Sequence, residues 1–498
     1  MNMRTVLSCF LTAMLCGAAM CAETSELWGA KGEKWKDDSR LPDFSFAGYH
    51  CGEKPLPKIE QVADVKQFGA KGDGTTDDSG AIQKAIDSTK SGAIFIPEGK
   101  YLLGEVVTIS KSNIVLRGAG PDKTVLYMPK SLQNLHPKAS SEEGKSPYAF
   151  SGGFITIQGT DKGGKIADVD APAKRGDRVL NLSAVINIKP GEFIRLEMTD
   201  HEHTLGKYLH ADQADAGVAT YKEKKHFVDW VVRVVAVDGK KVTIDAPLRT
   251  DIRSEWKPEI FECKPTVQEV GIEDLAFVFS GIPKLAHLKE EGFNSIQLRG
   301  AWNSWVKNIK VTDADNGVIA GLCRFCTFDG SVFKEEKREG ITGHHALWAT
   351  GQSQECLFLN FKFETKYVHD LTVEGMASGN VFMKGSGVSI DFDHHRNAPY
   401  ENLFTDIDTG DGKRIWDSSG REDRGPHSGA RETFWNIRAS KGKGTFPKVP
   451  SFPEINVVGL AGFTESKTPN KEWVEVGTIE PANLYDAMLQ RRLKSQAK

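Results

Sequence analysis

Short apolar runs separated by turn residues recur through the second half of this chain, about every 10–30 residues. Ser295–Leu298, Val306–Val311, Thr327–Phe333, Cys356–Phe363, His369–Val373, Gly379–Phe382 and Glu401–Ile407 are examples. Runs of this length between turns read as strands, and their regular return predicts stacked coils with Val, Ile, Leu and Phe turned inward. Several carry Asn at similar places (Asn308, Asn360, Asn380, Asn402 and Asn436), which predicts polar ladders at the turns. With 39% hydrophobic and 26% charged residues, the chain has the composition of a globular protein, so a disordered, collagenous or coiled-coil chain is excluded.

Lys+Arg total 64 against Asp+Glu 67, a net charge of -3. That balance gives no support to global nucleic-acid binding. Residues 1–22 hold a basic Arg4, an apolar stretch from Val6 to Ala19, and Ala22 before a cleavage point. This is the pattern of a secretory signal peptide, so the chain is expected in the periplasm or the medium. Ala18-Ala19-Met20 ahead of Cys21 is a poor context for lipid attachment. No later run reaches the ~18 apolar residues of a membrane span. Beyond the signal five cysteines remain, Cys51, Cys263, Cys323, Cys326 and Cys356; Cys323-Arg324-Phe325-Cys326 has zinc-like spacing but no second pair, so this odd set reads as buried thiols, not a disulfide framework.

Residues 62–120 are the most specific stretch. Phe68-Gly69-Ala70-Lys71-Gly72-Asp73-Gly74-Thr75-Thr76-Asp77-Asp78 leads into a helix with an apolar face of Ala81, Ile82, Ala85 and Ile86, capped by Asp77 or Asp78. Ile94-Phe95-Ile96-Pro97-Glu98-Gly99-Lys100-Tyr101 follows. This combination resembles the N-terminal part of the pectate-lyase-like superfamily, which includes rhamnogalacturonase-like and polygalacturonase-like proteins. The resemblance implies an all-β, right-handed parallel β-helix with a short N-terminal capping helix. It does not choose a reaction, because the superfamily holds lyases, hydrolases and epimerases. Domains are expected at 1–22 (signal), 23–60 (leader), 61–130 (cap and first coils), 131–265 (β-rich insertion with a mobile loop), 266–445 (main coils with the site) and 446–498 (C-terminal cap).

Six histidines, His344, His345, His369, His394, His395 and His427, crowd one window with Tyr367, Asp391, Asp393, Arg396, Arg424 and, just beyond, Arg431. A packed core has little use for so many titratable groups, so the window is the candidate site. Alternation along a strand puts Tyr367 with His369 on one face. It puts Asp391, Asp393 and His395 on another, with His394 and Arg396 opposite. The favoured reading is a lyase on a uronate-containing, anionic polysaccharide. Tyr367 or His369 acts as base or acid, and His394 and His395 as proton-transfer partners. Arg396, Arg424 and Arg431 neutralise the anion, with His344, His345 and His427 as further binding groups. The alternative is a glycoside hydrolase with paired carboxylates from Asp391, Asp393 and Asp406, although Gly343-His344-His345 only partly matches the polygalacturonase pattern. A non-catalytic carbohydrate-binding β-helix is the third reading. No cofactor is required; Asp391 and Asp393 could hold Ca²⁺. His201, His203, His210 and His226 lie in the insertion, where a substrate lid is expected.

Overall fold

The computed structural model describes residues 23–140, 143–445, 452–464 and 473–496. The expected signal peptide lies outside the described residues. Parallel ladders run almost the length of the chain. One ladder starts at Gln61–Asp64 and passes through Gly92–Ile96, Ile114–Gly118, Gly271–Phe279, Trp305–Thr312 and Thr327–Lys334. It continues through Leu403–Asp408 and Thr433–Arg438 to Trp473–Val476. A second, seven-stranded parallel sheet forms another face. Its strands are β1 Val107–Ile109, β2 Ile155–Gln158, β3 Asn294–Arg299, β4 Asn316–Gly321, β5 Ile341–Thr350, β6 Lys366–Val373 and β7 Phe392–His394. This is the expected right-handed parallel β-helix.

Stacking of like on like fills the interior. Phe328, Phe358, Phe382, Phe404 and Phe434 stand in one column with successive ring centroids 4.4, 4.4, 4.9 and 5.2 Å apart. The Asn ladder forms at a buried turn: Asn380 Nδ2 donates to Asn402 Oδ1 (2.9 Å), and Asn402 Nδ2 to Glu432 Oε1 (2.9 Å). Asn308, Asn360 and Asn436 instead adopt left-handed backbone with φ of 49°, 54° and 50°, a conformation Asn tolerates better than most residues. The five cysteines among the described residues are free thiols, and Cys323, Cys326 and Cys356 lie in the coil interior.

The capping helix α1 spans Ser79–Ser88 and buries Ile82, Ala85 and Ile86 against the first coil. Asp77 accepts from the Ser79 amide at its start (3.1 Å), while Asp78 closes the preceding turn by accepting from the Gly72 amide (2.9 Å).

The insertion begins later than expected, since β2 belongs to the coils. It is a six-stranded antiparallel sheet drawn from Lys165–Asp168 to Glu259–Glu262. Its polar stretch forms two short helices, α2 Thr204–Leu209 and α3 Val218–Glu223. The C-terminal region also departs from expectation. Asn456–Ala461 and Trp473–Val476 still belong to the coil ladder, and helix α4 (Leu484–Gln496) follows them. The helix packs Leu484, Tyr485 and Met488 with Trp28 and Trp35 of the leader and with Leu357, Val381 and Leu403 on the side of the coils.

Candidate active site

Register on β3–β7 decides which side chains can meet. Ile296, Val318, Leu347, Leu371 and Phe392 form one inward row, and Leu298, Ala320, Ala349, Val373 and His394 form the next. Gln297, Ile319, Trp348, Thr372 and Asp393 form the outward row between them. Arg299, Gly321 and Thr350 continue outward. Above these rows lies a cleft of about 470 Å³. Its lining includes Arg299, Trp348, Glu374, His395, Arg421 and Arg424, with Lys145 and His287 from loops. Four of its side chains are cationic and only Glu374 is anionic.

The wall of the cleft is a cluster of imidazoles. His369 is the hub, with ring centroids 4.6 Å from His345, 5.0 Å from His395, 5.5 Å from His344 and 5.9 Å from His287. His345 stacks on Trp348 at 4.1 Å and its Nδ1 lies 2.9 Å from Thr372 Oγ1. His395 Nδ1 is 2.8 Å from Asp393 Oδ2. The Asp393 Oδ1 atom accepts from the Ser419 amide at 2.9 Å, which fixes the carboxylate. His369 Nδ1 is 3.2 Å from Asp393 Oδ2 and 3.8 Å from Asp391 Oδ2, without hydrogen-bond geometry to either.

Burial and charge push these groups apart. Burial drives His369 down to about 3 against the pull of Asp393, and holds His344 and His345 well below the ordinary imidazole value. Burial opposes charge on His395 as well, but the Asp393 carboxylate beside it outweighs burial and raises its pKa. Burial likewise works against an ionised Asp393, yet His369 and His395 hold it low; burial together with Asp393 keeps Asp391 well above the carboxylate range. Two sets of ligand atoms converge to within 4.8 Å: His287, His344 and His369, and His369, Asp393 and His395.

His369, His395, Asp391, Asp393, His344 and His345 thus come together as expected, and Arg424 lines the same cleft. Six residues do not join them. Tyr367 points inward, packed on Phe333 at 5.8 Å, because strand alternation fails between it and His369. The same break leaves the neighbours Ala346 and Leu347 both in the core and His345 outside with Trp348. His394 sits on an inward row, its Nε2 3.0 Å from buried Glu432. Arg396 is spent on the turn, donating to the carbonyls of Gly420 (3.1 Å) and Gly425. Arg431 bridges Glu401 (2.8 Å) and Glu454 (2.9 Å). His427 stacks on Phe452. Asp406, offered for the hydrolase, pairs with Arg438 at 2.8 Å away from the cleft sheet.

The insertion packs on the rim of the cleft. Helix α3 docks on the turn at 422–424, where the Thr220 hydroxyl donates to the Arg424 carbonyl at 3.0 Å. Glu223 pairs with Arg424 at 3.0 Å and lies 3.5 Å from Arg421. The insertion therefore aims two arginines into the cleft. His201, His203, His210 and His226 do not converge among the described residues; His203, for example, stacks on Tyr221 at 3.5 Å. Sequence reasoning missed His287, Arg299 and Lys145. Only Arg299 carried a signal, as an outward polar residue with Gln297 on an otherwise apolar coil strand.

Residues 62–149 match the family model "Rhamnogalacturonase A/epimerase, pectate lyase-like". Alginate lyase 7 of Azotobacter vinelandii is 35% identical over 106 residues, covering 19% of this chain and 12% of that protein. Mannuronan C5-epimerase AlgE6 of the same organism is 29% identical over 181 residues, covering 32% and 20%. The chain thus spans about an eighth to a fifth of the length of these relatives. Among solved structures, an exopolygalacturonase from Thermotoga maritima aligns over 86% of this chain and 93% of its own, with 11% identity and a TM-score of 0.42. The chain is thus similar to this family over its N-terminal segment, residues 62–149, and the parallel coils built on that segment share the β-helix fold.

Proposed function

We propose that this chain is an exported polysaccharide lyase that cleaves a uronate-containing chain by β-elimination in the cleft over β3–β7. The observation that carries the reading is the division of labour in the wall. His395 lines the cleft, while its Asp393 partner and Asp391 are fully buried behind the imidazoles. A hydrolase needs two carboxylates flanking the scissile bond, and here neither Asp lines the cleft. A lyase needs cations for the uronate carboxylate and a base for the carbon-bound proton beside it.

Arg299, which has no ion pair among the described residues, supplies the first requirement, with Arg421 and Arg424 beside it already paired with Asp423, Glu223 and Glu374. His395 supplies the second. With Nδ1–H donating to Asp393, Nε2 keeps its lone pair, and the raised pKa strengthens it as a base. Proton removal leaves an enolate-like charge on the carboxylate, which the arginines stabilise. Its collapse forms the carbon–carbon double bond and expels the glycosidic oxygen, which takes a proton. Trp348, its indole at the cleft floor beside His345, offers an apolar surface for a sugar ring. The related alginate lyase and mannuronan epimerases, by their names, also act on polyuronates, which agrees with this substrate class.

The test uses a panel of acidic and neutral polysaccharides, with unsaturated-uronate absorbance and reducing ends followed together. Both signals rising on an acidic substrate support the lyase. Reducing ends without absorbance establish a hydrolase, and neither signal on any substrate leaves carbohydrate binding as the function.

A further inference from the structure

We propose that His287, His344 and His369 form a binding site for a borderline transition-metal ion such as Zn²⁺, with its open position facing the polysaccharide cleft. His287 Nε2 and His344 Nε2 are 3.1 Å apart. Two imidazole nitrogens on one tetrahedral zinc, each at 2.0–2.1 Å, stand about 3.3 Å apart. One ligand atom from each of the three rings falls within 4.8 Å of the others, so closure on an ion needs only small ring movements.

The surroundings orient the rings for this task. His344 Nδ1 lies 3.0 Å from the Ala149 carbonyl. That contact puts the proton on Nδ1 and leaves the Nε2 lone pair facing His287, the arrangement by which outer contacts prepare a metal-bound histidine. His369 is 1% exposed, and neither of its nitrogens has a hydrogen-bond partner among the described residues. Such a buried polar ring is costly unless something ligates it. Its Nδ1 lies 3.2 Å from Asp393 Oδ2 without hydrogen-bond geometry. Burial holds all three imidazoles below their ordinary pKa, keeping them neutral as ligands must be. The second convergent set, His369, Asp393 and His395, is a weaker choice because His395 and Asp393 already satisfy one another.

Three nitrogens and an open fourth position match zinc or cobalt and not Ca²⁺, which takes six to eight oxygens. His287 reaches the set from the cleft side, so the fourth ligand would be water or a substrate oxyanion. Arg299, without an ion pair among the described residues, lines the same cleft and favours an anion there. The site adds to the lyase reading without depending on it, because metal binding is measured with no substrate present.

The untagged full chain, stripped with chelator, is titrated with Co²⁺ and followed by its visible absorption. The expected result is one Co²⁺ per chain with a tetrahedral spectrum, displaced by Zn²⁺ and untouched by excess Ca²⁺. His344→Ala should weaken Co²⁺ binding by at least ~100-fold, the upper figure for losing even an outer-shell partner. His287→Ala, at an exposed loop position, should do the same. Unchanged binding in His287→Ala, binding lost only in Asp393→Asn, or absence of a tetrahedral spectrum would each overturn the assignment.

Discussion

Two buried polar clusters draw on the same turn of coil, which carries Asp391, Asp393, His395 and Glu401, and they are built on opposite rules. At the seam between coils and insertion, Glu401 is 1% exposed and gathers three guanidinium groups. Its Oε1 accepts from Arg175 (2.9 Å) and Arg431 (2.8 Å), and its Oε2 from Arg249 (3.0 Å). Both oxygens are satisfied. In the cleft wall, His369 and Asp391 are just as buried, yet both His369 nitrogens and both Asp391 oxygens have no hydrogen-bond partner among the described residues. A buried ion network that closes on itself fixes geometry. A buried polar set that stays open is held for something that arrives. Residue counts in the sequence window do not separate the two, since Arg431 belongs to the first cluster and Arg424 borders the second.

The contrast can be broken from the structural side first. Glu401→Gln leaves three arginines around a neutral amide and should cost about 3–5 kcal/mol in denaturant unfolding; a loss under about 1 kcal/mol would deny the network its role. Acid should act through the same group. Burial opposes ionisation of Glu401, but Arg175, Arg431 and Arg249 hold it down at about 2. Its contribution, about 3 kcal/mol, is complete above its unfolded pKa near 4.5 and is lost as pH falls through about 2. The stability gap between wild type and Glu401→Gln should therefore narrow from pH 6 to pH 3. A gap that stays constant would place the coupling elsewhere.

On the cleft side the effects are smaller and should spare the fold. Arg299 is exposed and has no ion pair or side-chain hydrogen bond among the described residues. Arg299→Ala should raise KM for an acidic polysaccharide about 10- to 100-fold, the loss of one charge-assisted contact of about 1.5–3 kcal/mol, with Tm unmoved. An unchanged KM would remove Arg299 from the substrate path. Tyr367→Phe is the smallest change. It deletes a buried hydroxyl that has no hydrogen-bond partner among the described residues, so stability should stay within about 1 kcal/mol and activity should not change. A large activity loss would return Tyr367 to the chemistry.

Much of this architecture was legible beforehand. Runs such as Val306–Val311 and Thr327–Phe333 announced strands because parallel coils bury them from both ends, and Asn380 and Asn402 announced a turn ladder. The imidazole window around His369 and His395 was legible too. What failed was facing. Alternation is a rule for straight strands, and β5 and β6 break it, sending Tyr367 inward while His369 stays out. His287 lies in a loop without periodicity, so only the fold could bring it to His344. The insertion's polar stretch read as a mobile lid because composition does not reveal that Glu223 meets two arginines across the chain.

The most direct test compares wild type and His395→Ala on one uronate-containing polysaccharide, with Tm measured on the same samples. If His395 is the base of an open functional cluster, unsaturated product should fall about 10²- to 10⁴-fold while Tm barely moves. Undiminished product from His395→Ala, or a loss of product that only tracks a loss of fold, would contradict the account.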